Sequence, residues 1–259
     1  SVGISRFTRT DHSESCIKIS GVGTGSDQVT FCNWDQAPTR LAGLTLDSHV
    51  THDSVWVREA GSITEELLAT NPDFRPLGSD NYAADPEFQL MELRRVVYGL
   101  MATTKDQYLE IDRPGRGRGL RRRGPQRELV WSVIERAPST YTHRRMHLLK
   151  EVLGGRINGK FTDLFVDEAQ DFLPADIECC YALRKGENPT FMVVDQTQAL
   201  HTGSSYQSPK PPPGSRWERY ELHGSYRLPV TIANCVRSLG RSIQRSKEQE
   251  GVSIEDISL

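Results

Sequence analysis

Residues 161–172, FTDLFVDEAQDF, constrain the fold of this chain more than any other stretch. An apolar run, Leu164 to Val166, breaks into two adjacent carboxylates, Asp167 and Glu168, followed by an amide, Gln170, and a third carboxylate, Asp171. A short apolar run bounded in this way reads as a buried strand. Carboxylates at its C-terminal end stand where a parallel sheet gathers its functional groups. The next residues keep the rhythm, with a helix over about 174–185 and a second strand over TFMVVD, 190–195. Strand, helix and strand in that order predict a βαβ unit and hence an α/β fold with a parallel sheet.

Upstream, residues 16–32, CIKISGVGTGSDQVTFC, read as two short strands around a turn holding Gly21, Gly23 and Gly25, because β-branched residues lie on either side. Residues 54–58 read as a further strand, and Ser62 with Glu65 gives a capping-box pattern that opens a helix. Over 86–102, Phe88, Met91, Val96 and Leu100 fall near helical spacing behind Pro86, which predicts a long amphipathic helix. ELVWSVIER and STYTHRRMHLLKEVLGG predict two more helices, the second capped by Ser139 and closed by Gly154. Residues 113–127, RPGRGRGLRRRGPQR, hold seven arginines and no acid, and read as a basic loop that either contacts a nucleic-acid backbone or is simply solvated. SPKPPPGSRW, 208–217, reads as a Pro-rich linker or surface excursion, and the stretch after it as strand, turn and helix.

Charge and cysteine usage narrow the function classes. The 32 basic residues nearly balance 34 acidic ones, so a net charge of −2 requires any nucleic-acid surface to be local. Five cysteines without CxxC spacing suggest neither a disulfide framework nor a zinc site, and fit reduced thiols in an intracellular protein, cytoplasmic or nucleoid-associated. His143 and His147 are one helical turn apart but have no third metal ligand within reach by sequence. The sequence has no apolar run of membrane-spanning or signal-peptide character, so no membrane partner is expected. A mean hydropathy of −0.53 is polar for a globular protein, which suggests surfaces normally covered by a partner or a further domain.

In nucleoside triphosphatases, the first carboxylate of a strand-end pair holds Mg²⁺ through water and the second polarises the attacking water. Two later stretches offer complementary chemistry. VVDQTQ, 193–198, ends a strand with Asp195 and places the Gln198 amide three residues on. LHGSYRLPVTIAN, 222–234, offers Tyr226 as a flat face for a base and Arg227 as a fixed cation for phosphate charge.

Taken in order, VDEAQD (166–171), VDQTQ (194–198) and LHGSYR (222–227), with Ile232, Ala233 and Asn234 downstream, resemble motifs II, III and IV of the UvrD/Rep-like branch of superfamily 1 DNA helicases. The basic segment before them resembles the arginine- and glycine-rich stretch that many such proteins carry in a helical insertion, so the similarity covers about residues 86–242. It implies a RecA-like parallel sheet flanked by helices with a mostly helical insertion subdomain. Residues 1–60 would begin the ATPase domain, 61–155 form the insertion, 156–222 complete the ATPase domain and 223–259 cross toward a second RecA-like domain. It also implies ATP and Mg²⁺ as cofactors: Asp167 as the Mg²⁺ ligand through water, Glu168 as general base, Gln170 coupling hydrolysis to movement, Gln198 as the γ-phosphate sensor, Tyr226 stacking on adenine and Arg227 contacting the γ-phosphate. Arg116, Arg118, Arg121, Arg122 and Arg123 would contact DNA. The implied partners are single-stranded or forked DNA and the remainder of the same polypeptide or a protein partner, with movement 3′ to 5′.

The sequence departs from the family in four places. Val194 and Ser225 replace a family Gly and Asn, and ALHTGSSY follows motif III in place of an arginine- or aromatic-rich tail. Most consequentially, Gly23 and Gly25 lead into Ser26 and Asp27, where a phosphate loop requires Lys and Ser or Thr. That glycine turn is either a degenerate phosphate loop, cradling phosphate through backbone amides, or an ordinary turn. The chain is therefore expected to be an inactive piece of a longer helicase. The alternatives are a helicase-like module that binds nucleic acid or protein without hydrolysis, and a Mg²⁺-dependent nuclease using Asp167 and Glu168.

Overall fold

The computed structural model describes residues 30, 32–45, 50–74, 82–113, 120–157, 159–187, 190–194, 210–212, 214–220 and 238. They are mostly helical: α1 Ala37–Arg40, α2 Asp53–Thr70, α3 Pro86–Glu92, α4 Lys105–Glu110, α5 Pro125–Arg136, α6 Tyr141–Leu153 and α7 Pro174–Leu183. Two strands, β1 Leu164–Val166 and β2 Thr190–Met192, pair in parallel with Leu164 opposite Thr190 and Val166 opposite Met192. The βαβ unit around α7 is thus present. The sheet is confined to two strands among the described residues. The strands expected over 16–32 fall almost wholly outside those residues.

The helical body has one core. Trp56 and Ala60, one turn apart on α2, are fully buried with Leu93, Leu129, Val133 and Leu149. α2 packs on α3 and α5, and α6 packs on α1 and α7. Burying these stripes supplies what short helices lack alone, since isolated helices of this length are marginal in water. Three local expectations fail against this packing. Residues 54–58 are the first turns of α2 rather than a strand, because burial of Trp56 outweighs the β-propensity of Val55 and Val57. Ser62 lies inside α2 and donates back to the Arg58 carbonyl at 3.5 Å instead of capping a helix start. α6 is capped by Thr140, not Ser139: the His143 Nδ1 accepts the Thr140 N–H at 3.1 Å in a reciprocal box.

The 86–102 helix is present in altered form. It opens as expected at Pro86 behind the Asp85 cap, then widens into a π-helical turn over Leu93–Tyr98. Each π turn takes in an extra residue, which rotates the apolar face. Leu90, Leu93, Val96 and Val97 are buried, while Met91 is exposed. Downstream, Gly159 sits where the chain crosses the end of α7. A Cβ there would lie 2.3 Å from the Lys185 Cα, so only glycine fits the crossing that feeds β1. Two residues of the Pro-rich stretch meet α7: Tyr181 donates its hydroxyl hydrogen to the Lys210 carbonyl at 2.5 Å, and the Trp217 ring lies 6.5 Å from the Tyr181 ring.

Candidate functional site

β1 delivers the carboxylates. Its Val166 is buried under α7 with Ala169 and Cys180, and the ladder continues past the strand: Val193 donates to the Val166 carbonyl and Ala169 to the Val193 carbonyl, each at 2.9 Å. Between those two bonds the chain turns outward, leaving Asp167 and Glu168 exposed at the carboxyl end of the strand. Glu168 adopts a left-handed conformation, φ 54° and ψ 39°, which costs a residue with a Cβ roughly 1–2 kcal/mol. The turn is held from both sides. The Glu168 N–H donates to Asp167 Oδ1 at 3.0 Å, and the buried Gln170 amide donates to the Glu168 carboxylate. One short helical turn, Ala169–Asp171, then leads to Phe172, whose ring lies 5.0 Å from that of Trp34.

Asp167 Oδ2 and Glu168 Oε1 have no hydrogen-bond partner among the described residues. Hard divalent cations take oxygen ligands and keep several waters when few carboxylates are offered. Among the described residues no group of three or more His, Cys, Asp or Glu side chains is placed to hold a metal. His143 accepts the Thr140 N–H through Nδ1 in the α6 cap, with its pKa depressed by burial, while His147 is exposed.

The arginine-rich segment divides in two. Arg113 and Arg127 belong to the core: Arg113 pairs with Glu92 at 2.6 Å, and Arg127 donates to the carbonyls of Tyr108 and Leu109 at 2.7 and 2.9 Å. Arg122 and Arg123 reach back to Asp112 and Glu110, so the segment is not free of acids once folded. Arg121 is exposed and has no acid partner among the described residues. Arg116, Arg118, Gly23, Gly25, Gln198, Tyr226 and Arg227 lie outside the described residues.

The sequence did not point to the cluster behind the turn. Asp176, on the first turn of α7, is fully buried. Its Oδ2 accepts the Leu173 N–H at 2.8 Å, and its Oδ1 accepts the Tyr98 hydroxyl at 2.5 Å and the Trp34 indole N–H. Arg145 approaches the same Oδ1 at 3.7 Å while gripping Asp35 at 2.6 Å. Burial pushes the Asp176 carboxyl up, and Arg145 with the surrounding donors works against that rise. The five side chains come from positions as far apart as 34 and 176. The one local signal was an acid three residues after Leu173, at the start of a helix opened by proline.

Comparison with protein-family models, with curated proteins and with solved structures returns no match to this chain. No helix among the described residues is long and apolar enough to cross a membrane.

Proposed function

We propose that this chain is part of an ATP-dependent DNA helicase or translocase of the UvrD/Rep-like kind, in which MgATP hydrolysis drives movement along single-stranded DNA, 3′ to 5′ by resemblance. The observation that carries the reading is the exposed Asp167–Glu168 pair at the carboxyl end of a parallel strand, with Glu168 held in a strained conformation by Gln170. Strain of this kind clusters at functional turns, where it pre-organises a reacting group. In this reading the β1-α7-β2 unit is a piece of a RecA-like core and the helices from α2 to α6 form its insertion. Asp167 holds Mg²⁺ through water and Glu168 accepts the proton of the attacking water. Gly23 and Gly25 approach the phosphates, Gln198 and Arg227 sense the γ-phosphate, Gln170 links hydrolysis to movement and Tyr226 stacks on adenine. The arginines 116, 118, 121, 122 and 123 track the DNA backbone. The ion pairs of Arg122 and Arg123 do not oppose this, because solvent-exposed pairs are weak and open readily for a phosphate.

A second reading, a helicase-like module that binds nucleic acid or protein without hydrolysis, is favoured by Ser26 and Asp27 in the glycine turn, where lysine charge is missing. Titration calorimetry with MgATP and fluorescence anisotropy with labelled single-stranded DNA separate the two. The helicase reading expects heat on MgATP addition that Asp167→Ala removes and Glu168→Gln retains. It also expects DNA affinity that falls when Arg121, Arg122 and Arg123 become alanine, with the salt slope shallower by about 0.7 for each phosphate that is no longer neutralised. DNA binding with no MgATP heat supports the non-hydrolysing module, and DNA cleavage without nucleotide would point to a nuclease.

A further inference from the structure

We propose that Asp176 is a positioning residue for the carboxylate turn, clamping the start of α7 to the helical body so that Asp167 and Glu168 stand in one place. The inference rests on the nucleotide reading only in giving that placement a purpose; the clamp itself is a matter of geometry. Asp176 Oδ2 holds the Leu173 N–H at 2.8 Å, which fixes the last residue before α7. Its Oδ1 collects the Tyr98 hydroxyl at 2.5 Å, from the end of the π-helical turn, and the Trp34 indole N–H. Trp34 also meets Phe172 at 5.0 Å, immediately after the Ala169–Asp171 turn. Arg145, from α6, spans the pair formed by Asp35 and Asp176. Three parts of the helical body therefore converge on one carboxylate, just beyond the turn that carries the candidate chemistry.

Stability alone is a weak account of this arrangement. A buried ionic cluster is often replaceable by well-packed apolar side chains at no loss of stability, whereas fixed directional bonds specify a single arrangement. Leu173, Tyr98 and Trp34 all meet Asp176 as donors, which suits an ionised acceptor and admits no second geometry without leaving one donor unmatched. Tyr98 is the last residue of the π-helical turn, and its hydroxyl reaches Asp176 on α7.

Hydrogen–deuterium exchange on the full 259-residue chain tests the clamp, comparing wild type with Asp176→Asn and Tyr98→Phe. Asp176→Asn keeps the shape and one acceptor but introduces donors facing donors. Amides of 167–173 are expected to exchange roughly tenfold faster or more, the size set by losing a hydrogen bond to a charged group, while amides of 129–134 in α5 keep their wild-type protection. Tyr98→Phe should act in the same direction with a smaller effect, and it decides the matter if Asp176→Asn does not fold. Equal acceleration in α5 and in the turn would show general destabilisation and overturn the proposal, as would an unchanged turn. MgATP calorimetry on the same samples keeps the two claims apart. Absence of heat in wild type defeats the nucleotide reading and leaves the exchange result to stand or fall by itself. Heat in wild type that weakens in both variants, with α5 protected, supports both.

Discussion

The arginine-rich segment permits a sharp test of which charges hold the protein together. Arg113 and Glu92 have side chains 4% and 3% exposed and meet at 2.6 Å, and the Tyr108 hydroxyl donates to the other Glu92 oxygen at 3.1 Å. Arg122 and Asp112, close by in the same segment, form a pair at 53% and 80% exposure. Arg113→Ala leaves the Glu92 carboxylate buried with only the tyrosine hydroxyl. It also removes the guanidinium 5.6 Å from the Phe88 ring. Breaking a buried pair from one side costs about 3–5 kcal/mol, a large share of the about 5–15 kcal/mol that holds a domain folded. Arg122→Ala should cost at most about 1 kcal/mol. Urea unfolding followed by circular dichroism reads both, provided the slope of the transition is unchanged. The triple replacement Arg113→Met, Glu92→Leu and Tyr108→Phe should recover most of the loss, because it removes the stranded charge together with the buried hydroxyl that Glu92 accepts. Arg113→Ala and Arg122→Ala variants within about 0.5 kcal/mol of each other would refute the division of this segment into a buried anchor and a surface part.

Two further outcomes follow from local geometry. The α6 cap needs a neutral His143, since its Nδ1 accepts the Thr140 N–H, and burial holds its pKa below the usual histidine value. Well above pH 6.5, the ordinary histidine value, neither state of the protein carries the proton. As pH falls below that, the unfolded chain binds a proton that the folded chain refuses, and stability drops by up to about 1.4 kcal/mol per pH unit until the depressed folded value is reached. His143→Gln, which keeps a cap acceptor, should flatten this slope in thermal melts between pH 7 and 5, and an unchanged slope would contradict the cap. At Glu168, asparagine tolerates the left-handed backbone and a β-branched residue does not. Glu168→Val should therefore melt as a protein at least about 1 kcal/mol less stable than Glu168→Asn, and equal stability would remove the strain from the account.

The βαβ unit was legible because its signals are local and agree: an apolar run stopped by carboxylates, a helical stretch and a second apolar run, which the structure pairs in parallel with the first. The helices over 125–136 and 141–153 were legible for the same reason. Misreadings arose where a local signal met a stronger distant one. Ser62 and Glu65 have the spacing of a cap, yet Ala60 and Thr64 are buried on both sides of Ser62, and tertiary packing carries the helix through. The boundary expected after residue 60 accordingly falls inside α2. Met91 is exposed because the buried stripe runs through Leu90, Leu93 and Val97, one residue off the face expected from Phe88 and Met91, and the i→i+5 bonds of the π-helical turn, such as Gly99 N–H to the Arg94 carbonyl at 3.0 Å, have no signature in hydrophobic spacing. Within the candidate site, the two carboxylates were visible as residues, but the support behind them was not. Trp34 and Asp176 are 142 positions apart, and only the fold brings an indole N–H to that carboxylate.

The sheet has one face that packing has finished and one that it has not. On the finished face Val166 is buried against Ala169 and Cys180. On the other, Phe165 and Phe191 stack at 4.8 Å and 8°, with Phe165 73% exposed. Parallel sheets are ordinarily covered on both faces, so the two faces should respond to substitution in an order opposite to side-chain size. Phe165→Ser removes a whole ring but little buried area, leaving chiefly the aromatic pair, worth about 0.5–1.5 kcal/mol. Val166→Ala removes only two methyl groups, yet at about 0.8 kcal/mol per buried carbon plus the cavity left behind it should cost about 2 kcal/mol. Chemical unfolding of both variants measures the order directly. A Phe165→Ser loss of about 3 kcal/mol or more is the cost of emptying a closed core; it would mean that the aromatic face is covered in the folded chain, and the asymmetry between the two faces would be refuted.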